Sequence, residues 1–180
     1  MRVVATEYIS LDGVFEEPGV WSGPWFGEEC GQFKDAELQA SDALLLGRKT
    51  YEGFAAAWPN MIEETGDFGV KMNTMPKYVV SATLDKVEWE GSVLLEGDPV
   101  EAIRELKQRP GNDLLLSGSA QVFNAAHAAG LIDLYRFMVY PVVLGGGARL
   151  FADGLSQVNL KKVATKTLDG AVTVLEFEPA

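Results

Sequence analysis

Three short apolar runs in this sequence end in residues suited to holding an anion. LLLGRKTY places Gly47 at the end of the first run, with Arg48, Lys49 and Thr50 at the head of a helical pattern. A glycine lets backbone approach a phosphate, the unpaired amides of a helix start donate to it, and an arginine offers a planar charged fork. Basic residues at a helix N-terminus oppose the macrodipole unless an anion sits there. The segment is therefore either a phosphate-binding turn or a helix whose first turn carries solvated cations. KYVVSATL ends in Ser81 and Thr83, whose hydroxyls either donate to a phosphate or cap a turn. DLLLSGSAQVF joins a third run to a helix through Ser117, Gly118 and Ser119. It has the form of a short phosphate cradle, without G-x-G-x-x-G spacing and without the lysine of a nucleotide-triphosphate loop. Other chemistries are thinly supplied. His127 is the only histidine, and in VFNAAHAAG it reads as a helix-surface or subunit-contact residue rather than as the base of a nucleophilic triad. Cys30 is the only cysteine, which leaves no intramolecular disulfide and no Cys/His set at metal spacing.

To bring those groups to one edge, the runs must be strands and the segments between them helices. MRVVATEYI, ALLLG, KYVVS, SVLLE and DLLLS are short runs of the kind buried in a parallel sheet. GEECGQFKDAELQA is a helix with Phe33 and Leu38 on one side and its Glu, Asp and Lys residues on the other. DPVEAIRELKQR opens with Asp98 as N-cap and Pro99 in the first turn, and SAQVFNAAHAAG stops at Gly130. Beyond Gly130 the pattern changes. LIDLYRFMVYPVV is one long strand with no helix behind it, and VNLKKVATKTL and AVTVLEFE flank Asp169-Gly170, a two-residue hairpin signal. The fold class is α/β: a three-layer, mixed but mainly parallel twisted sheet with flanking helices and a C-terminal antiparallel hairpin, forming a single domain over residues 1–180. A ligand is expected at the carboxyl ends of the parallel strands, near a reversal of strand order.

Composition narrows the partners. With 15 basic and 26 acidic residues the formal charge is −11, which argues against attraction to nucleic acid or anionic lipid, since that rests on Lys and Arg displacing counterions. At 47% apolar and 23% charged the chain is far from a disordered composition. No apolar run approaches the roughly 20 residues of a bilayer span. The N-terminus MRVVATEYIS lacks a basic region followed by a long apolar core, so the expected localisation is cytoplasmic.

The order of the motifs, GRKTY, then SAT, then SGSAQVF, then LIDLYRFMVYPVVLGGGARLF, resembles the dihydrofolate reductase-like family, and within it the branch holding the reductase domain of the bacterial riboflavin-pathway enzyme. The likeness begins at YISLDG and spans nearly the whole chain. It implies NADPH lying across the strand ends and a hydride passed to a flat heterocycle. Under that resemblance Gly47, Arg48, Lys49 and Thr50 hold the pyrophosphate and approach the 2′-phosphate, which Ser81 and Thr83 grip. NADPH is thereby favoured over NADH. Gly118, Ser119, Ala120 and Gln121 match the phosphate-cradling helix start, with Ser119 where the family has a second glycine. The stretch from Tyr8 to Gly13 resembles the part that contacts the nicotinamide. Phe15 to Phe26, with Trp21 and Trp25, corresponds to the mobile loop over the substrate, and the same aromatics could equally fill the core.

The resemblance also implies an acid on the first helix, four residues ahead of a substrate-packing phenylalanine. Glu29 and Phe33 fit that register, with Glu28 and Asp35 as other acids on the helix. Two departures speak against folate itself: Met75 stands where an arginine should clamp the glutamate tail, and Phe137 where a threonine should relay to the acid. A small heterocyclic or carbonyl substrate is expected. Reduction of a phosphoribosylaminouracil is one alternative, and a non-catalytic nucleotide-binding or scaffold protein is another. Residues 1–42 hold nine acids against two bases, seven of the eleven net negative charges, which favours a neutral or cationic ring on that side of the cleft. A homodimer is expected, pairing through the part of the sheet that ends in Gly145 to Gly147. No metal site is expected.

Overall fold

Leu44 to Leu46 and Leu114 to Leu116 are almost wholly buried, successive leucines facing opposite sides of the sheet. A strand covered on both faces has no polar side to alternate with, which is why these segments are unbroken apolar runs. They lie at the centre of one eight-stranded sheet in a computed structural model that describes residues 1–180.

In chain order the elements are β1 (Arg2–Ser10), α1 (Pro18–Trp21), α2 (Glu28–Gln39), β2 (Ser41–Gly47), α3 (Arg48–Ala57), α4 (Ile62–Thr65), α5 (Asp67–Thr74), β3 (Lys77–Val80) and β4 (Ser92–Leu95). There follow α6 (Pro99–Gln108), β5 (Asp113–Ser117), α7 (Ala120–Ala128), β6 (Leu134–Tyr140), β7 (Leu160–Leu168) and β8 (Val172–Pro179). The strands run in the order β4-β3-β2-β5-β1-β6-β8-β7. All pairs from β4 to β6 are parallel, and β6-β8 and β8-β7 are antiparallel. This is the mixed, mainly parallel sheet with a terminal hairpin that the pattern predicts. No helix is long and apolar enough to cross a membrane.

Val3, Ala5, Leu45, Leu114 and Leu116 pack with Ile103 and Leu106 of α6 and Phe123 of α7. On the opposite face Val4, Leu44, Leu46 and Leu115 pack with Leu38 of α2, Tyr51 of α3 and Met72 of α5. Asp98 caps α6 as its sequence suggests, accepting from Val100 N at 2.9 Å and Glu101 N at 3.0 Å. The β7-β8 turn is tight because Asp169 and Gly170 both take positive φ, 48° and 68°.

Three expectations need correction. The strand after Gly130 stops at Tyr140, where Pro141 removes a ladder donor. Residues 142–151, with the three glycines, therefore lie outside the named strands and fold as a loop against residues 11–16. The inward face of α2 is not apolar: Glu37 is buried beside Leu38, because a 3.6-residue period puts positions 30, 34, 37 and 38 on one side. Finally, His127 is a core residue, its Nδ1 2.8 Å from the Tyr135 hydroxyl and its ring stacked on Phe123 at 6.0 Å.

Candidate active site

β2 and β5 are hydrogen-bonded neighbours, yet the chain leaves them for opposite faces, β2 into α3 and β5 into α7. That divergence opens a crevice at their carboxyl ends, a switch point in strand order. Ser119 closes its floor. The Ser119 Oγ accepts from Gly47 N at 2.7 Å and donates to Thr50 Oγ1 at 2.9 Å, tying the β5-α7 turn to the β2-α3 turn. Both glycines are there because the turns touch. A Cβ on Gly47 would stand 2.9 Å from Ser119 Oγ, and one on Gly118 would stand 2.7 Å from Thr50 Oγ1. Gly118 and Ser119 are both left-handed, with φ 61° and 62°. For a serine this costs of order 1 kcal/mol or more, and the bridge made by its hydroxyl offsets that cost.

Neither α3 nor α7 has a side-chain cap, and neither carries an acid in its first turn. Two sets of unpaired helix-start amides therefore border one crevice. Arg48 and Lys49 are exposed beside it and form no salt bridge. Ser81 lies one strand further out, its Oγ accepting from Thr83 N at 3.1 Å and Leu84 N at 3.0 Å. That is a turn-capping role, and it leaves the hydroxyl proton free to donate. Gly13, at φ 82°, turns the chain back after β1.

On the other face of β1 the charges are paired. Glu37 accepts from Lys34, and from Arg136 at 3.1 Å, while Arg136 Nε donates to Glu176 at 2.5 Å and Lys34 also donates to Thr6 Oγ1 at 3.0 Å. Burial alone would raise the Glu37 carboxyl, but the Lys34 and Arg136 charges hold it below its ordinary value. Tyr8 lies between these cations and the aromatics, with Lys34 5.5 Å and the Tyr140 ring 5.4 Å from its centroid. Phe33 lies under Arg136. Trp21 meets Tyr140 edge-on at 5.5 Å, and Trp25 packs in the same cluster around Cys30. Burial, and then Asp169, push the Cys30 thiol up to about 11.

Glu29 is exposed, and it is held by the hairpin. Its Oε2 accepts from Asp169 N at 2.5 Å, while Asp169 accepts from the amides of Gly27, Glu29 and Cys30 at 3.0–3.1 Å. The turn of β7-β8 thus caps α2 from a distance, and Gly27 is required there, since its Cβ would fall 2.5 Å from Asp169 Oδ1. Glu28 and Asp35 are also exposed, bonded to Gln32 and Gln39. Asp12 accepts from Ser10, Leu144 N and Gly145 N, and those bonds, the Ser10 hydroxyl first, hold it down to about 2. Glu16 accepts from Ala148 N at 3.0 Å.

A family model described as the RibD C-terminal domain matches residues 2–174. The chain belongs to the RibD C-terminal domain family. Uncharacterized protein YyaP of Bacillus subtilis (strain 168) is 30% identical over 183 residues, 98% of this chain and 94% of that protein. Among solved structures, a protein from Shewanella sp. PV-4 named for riboflavin biosynthesis aligns at TM-score 0.76 and 21% identity, covering 100% of this chain and 99% of that one. Dihydrofolate reductase from Enterococcus faecalis, complexed with NADP(H), aligns at TM-score 0.65 and 17% identity over 99% and 96% of the two chains. The dihydrofolate reductase-like fold is thereby established for this RibD C-terminal domain.

Among the nine acids of residues 1–42, Glu7 is the most buried. In the RibD C-terminal domain described here it is 4% exposed, and its Oε2 accepts from Gly118 N at 3.0 Å. A signal was available: β1 alternation puts position 7 on the face of Val3 and Ala5, where a carboxyl must be buried. The Lys34-Glu37-Arg136-Glu176 network carried no such signal, because it joins α2, β6 and β8.

Proposed function

We propose that this protein is an NADPH-dependent reductase of a small heterocyclic or carbonyl compound. The observation that carries the reading is the Ser119-bridged crevice, where two uncapped helix starts, two close-approach glycines and two unpaired cations converge. Gly47, Thr50, Gly118 and Ser119, with the amides of Ala120 and Gln121, would take the pyrophosphate. Arg48 and Lys49, helped by Ser81 and Thr83, would take the additional phosphate that separates NADPH from NADH. When bound, NADPH supplies the hydride. Tyr8, Phe33 and Trp25 would provide the apolar surface for the acceptor ring, and the 15–26 segment keeps water from that side.

Proton delivery by Glu29 would require its release from Asp169 N. An acid that protonates a hydride acceptor works best buried, whereas Glu29 is exposed and fastened to the hairpin. The substrate expectation also narrows. Glu37 is paired with two cations, which removes one buried carboxylate from the acids of residues 1–42 that could face a substrate. A neutral ring is the better-supported substrate. Buried Met75 and Phe137 place no polar clamp for a folate tail. Homodimer formation belongs to the same reading, with exposed Leu11 and Val143, 68% and 66% accessible, as apolar surface for it to cover.

Thermal melting with each cofactor tests the proposal. NADPH at millimolar concentration should raise the melting temperature well above the shift given by NADH. Stopped-flow mixing of the NADPH complex with pterins, quinones and imines should then show hydride transfer to at least one. No NADPH shift would end the reading, and binding without transfer to any acceptor would leave a nucleotide-binding protein.

A further inference from the structure

Glu7 sits where β1 passes the end of β5, in register with Thr6 opposite Ser117. One of its oxygens takes the Gly118 N–H at 3.0 Å, at the turn that opens the nine-residue helix α7. The other, Oε1, is sealed from solvent and has no hydrogen-bond partner. An ionised carboxylate would leave that oxygen without a donor, a costly arrangement for a buried charge. A protonated carboxyl avoids burying that charge and still accepts from Gly118 through Oε2.

The surroundings favour the protonated form. Burial pushes the Glu7 carboxyl well up. The Gly118 N–H and then Lys34 of α2 pull against this, and Glu37 of α2 adds to it. Lys34 is itself engaged by Glu37 and Thr6, and Arg136 of β6 by Glu37 and Glu176. The β5-α7 turn brings only amides and hydroxyls.

Resting on the dinucleotide reading above, we propose that Glu7 is a positioning residue that must be protonated for the crevice to take a phosphate-bearing dinucleotide. It anchors Gly118 as an acceptor and, when neutral, keeps negative charge away from the phosphates. Ligand binding then raises its proton affinity further, so binding weakens once Glu7 ionises in the free protein.

The test is the dissociation constant of NADPH, read from tryptophan quenching between pH 6 and pH 9, for wild type and Glu7→Gln. The amide keeps the acceptor for Gly118 but cannot ionise. Titration of the ligand's own phosphates is common to both proteins and cancels in their ratio. The two should agree within about threefold at the acid end, and wild type should then weaken relative to Glu7→Gln by up to tenfold per pH unit above the point of ionisation. Melts of the ligand-free proteins report Glu7 without any cofactor. A raised carboxyl gives stability that is full below its unfolded value near 4.5 and is lost as pH climbs through the folded value, so wild type should fall relative to Glu7→Gln over that window. An infrared band of a protonated carboxyl in wild type at pH 6 that disappears at higher pH checks the same point without a variant. NADPH affinities with parallel pH profiles in the two proteins would overturn this inference alone. No NADPH binding by either protein at any pH would remove the dinucleotide reading with it.

Discussion

The two sides of β1 handle charge in opposite ways. Around the β2-β5 crevice the cations Arg48 and Lys49 are left exposed and unpaired, and the turns are joined by neutral groups, a serine hydroxyl, a threonine hydroxyl and glycine amides. On the α2 side, Lys34 and Arg136 are paired with Glu37 and Glu176, and Glu29 and Asp169 are bonded to backbone amides. Charge on the first side is available to a ligand, and charge on the second holds elements together. Substitutions should therefore separate cleanly: those on the α2 side should be read in stability, those at the crevice in binding.

The largest effect should come from Glu37→Ala. It strips Lys34 of its carboxylate and leaves Arg136 with Glu176 alone, and an uncompensated buried charge of this kind costs about 3–5 kcal/mol. Urea unfolding measures it. A loss below about 1 kcal/mol would show that the α2 side is not held by its ion pairs. Ser119 gives an intermediate case. Ser119→Ala keeps the left-handed strain and leaves buried Gly47 N–H without its acceptor, which should cost about 1–3 kcal/mol and loosen NADPH binding. Ser119→Gly relieves the strain as it removes the bridge, and should be closer to neutral in the same unfolding experiment. Equal costs for the two would show that backbone conformation contributes nothing there. Smallest in stability is Arg48→Ala: its ligand-free unfolding should stay within about 0.5 kcal/mol of wild type, while the preference for NADPH over NADH collapses. A large loss of stability would break the comparison, since it would make Arg48 a structural cation like Arg136.

Much of the crevice was legible because its parts are local. A run of leucines, a glycine and a basic helix start lie within eight residues of one another, and Ser117 to Gln121 are contiguous. That Ser119 joins the two turns was not legible, since Gly47 and Ser119 are 72 positions apart and only strand order brings them together. The α2 face misled for a related reason. Their charge suggests that Glu37 and Lys34 belong outside with Asp35, although helical period puts them on the face of Leu38, and nothing local announces that Arg136 arrives from β6 to neutralise a buried carboxylate. The tally of acids in residues 1–42 could not show which carboxylates are ion-paired, as Glu37 is with Lys34 and Arg136.

By itself the sequence determined the strands, most of the helices, their caps and the hairpin turn, since these follow from hydrophobic period and from what Asp, Pro and Gly permit in adjacent backbone. It determined as well that Gly47 and Gly118 would stand at the strand ends, where the two turns approach closely. The tertiary structure alone decided which charges are free and which are consumed. It set Glu7 under Gly118 with one oxygen unpaired, tied Glu29 to the hairpin, and put Asp169 on the N-terminus of α2. Those outcomes depend on long-range register and burial, which fix the partners and the dielectric around each group, and no window of neighbouring residues contains them.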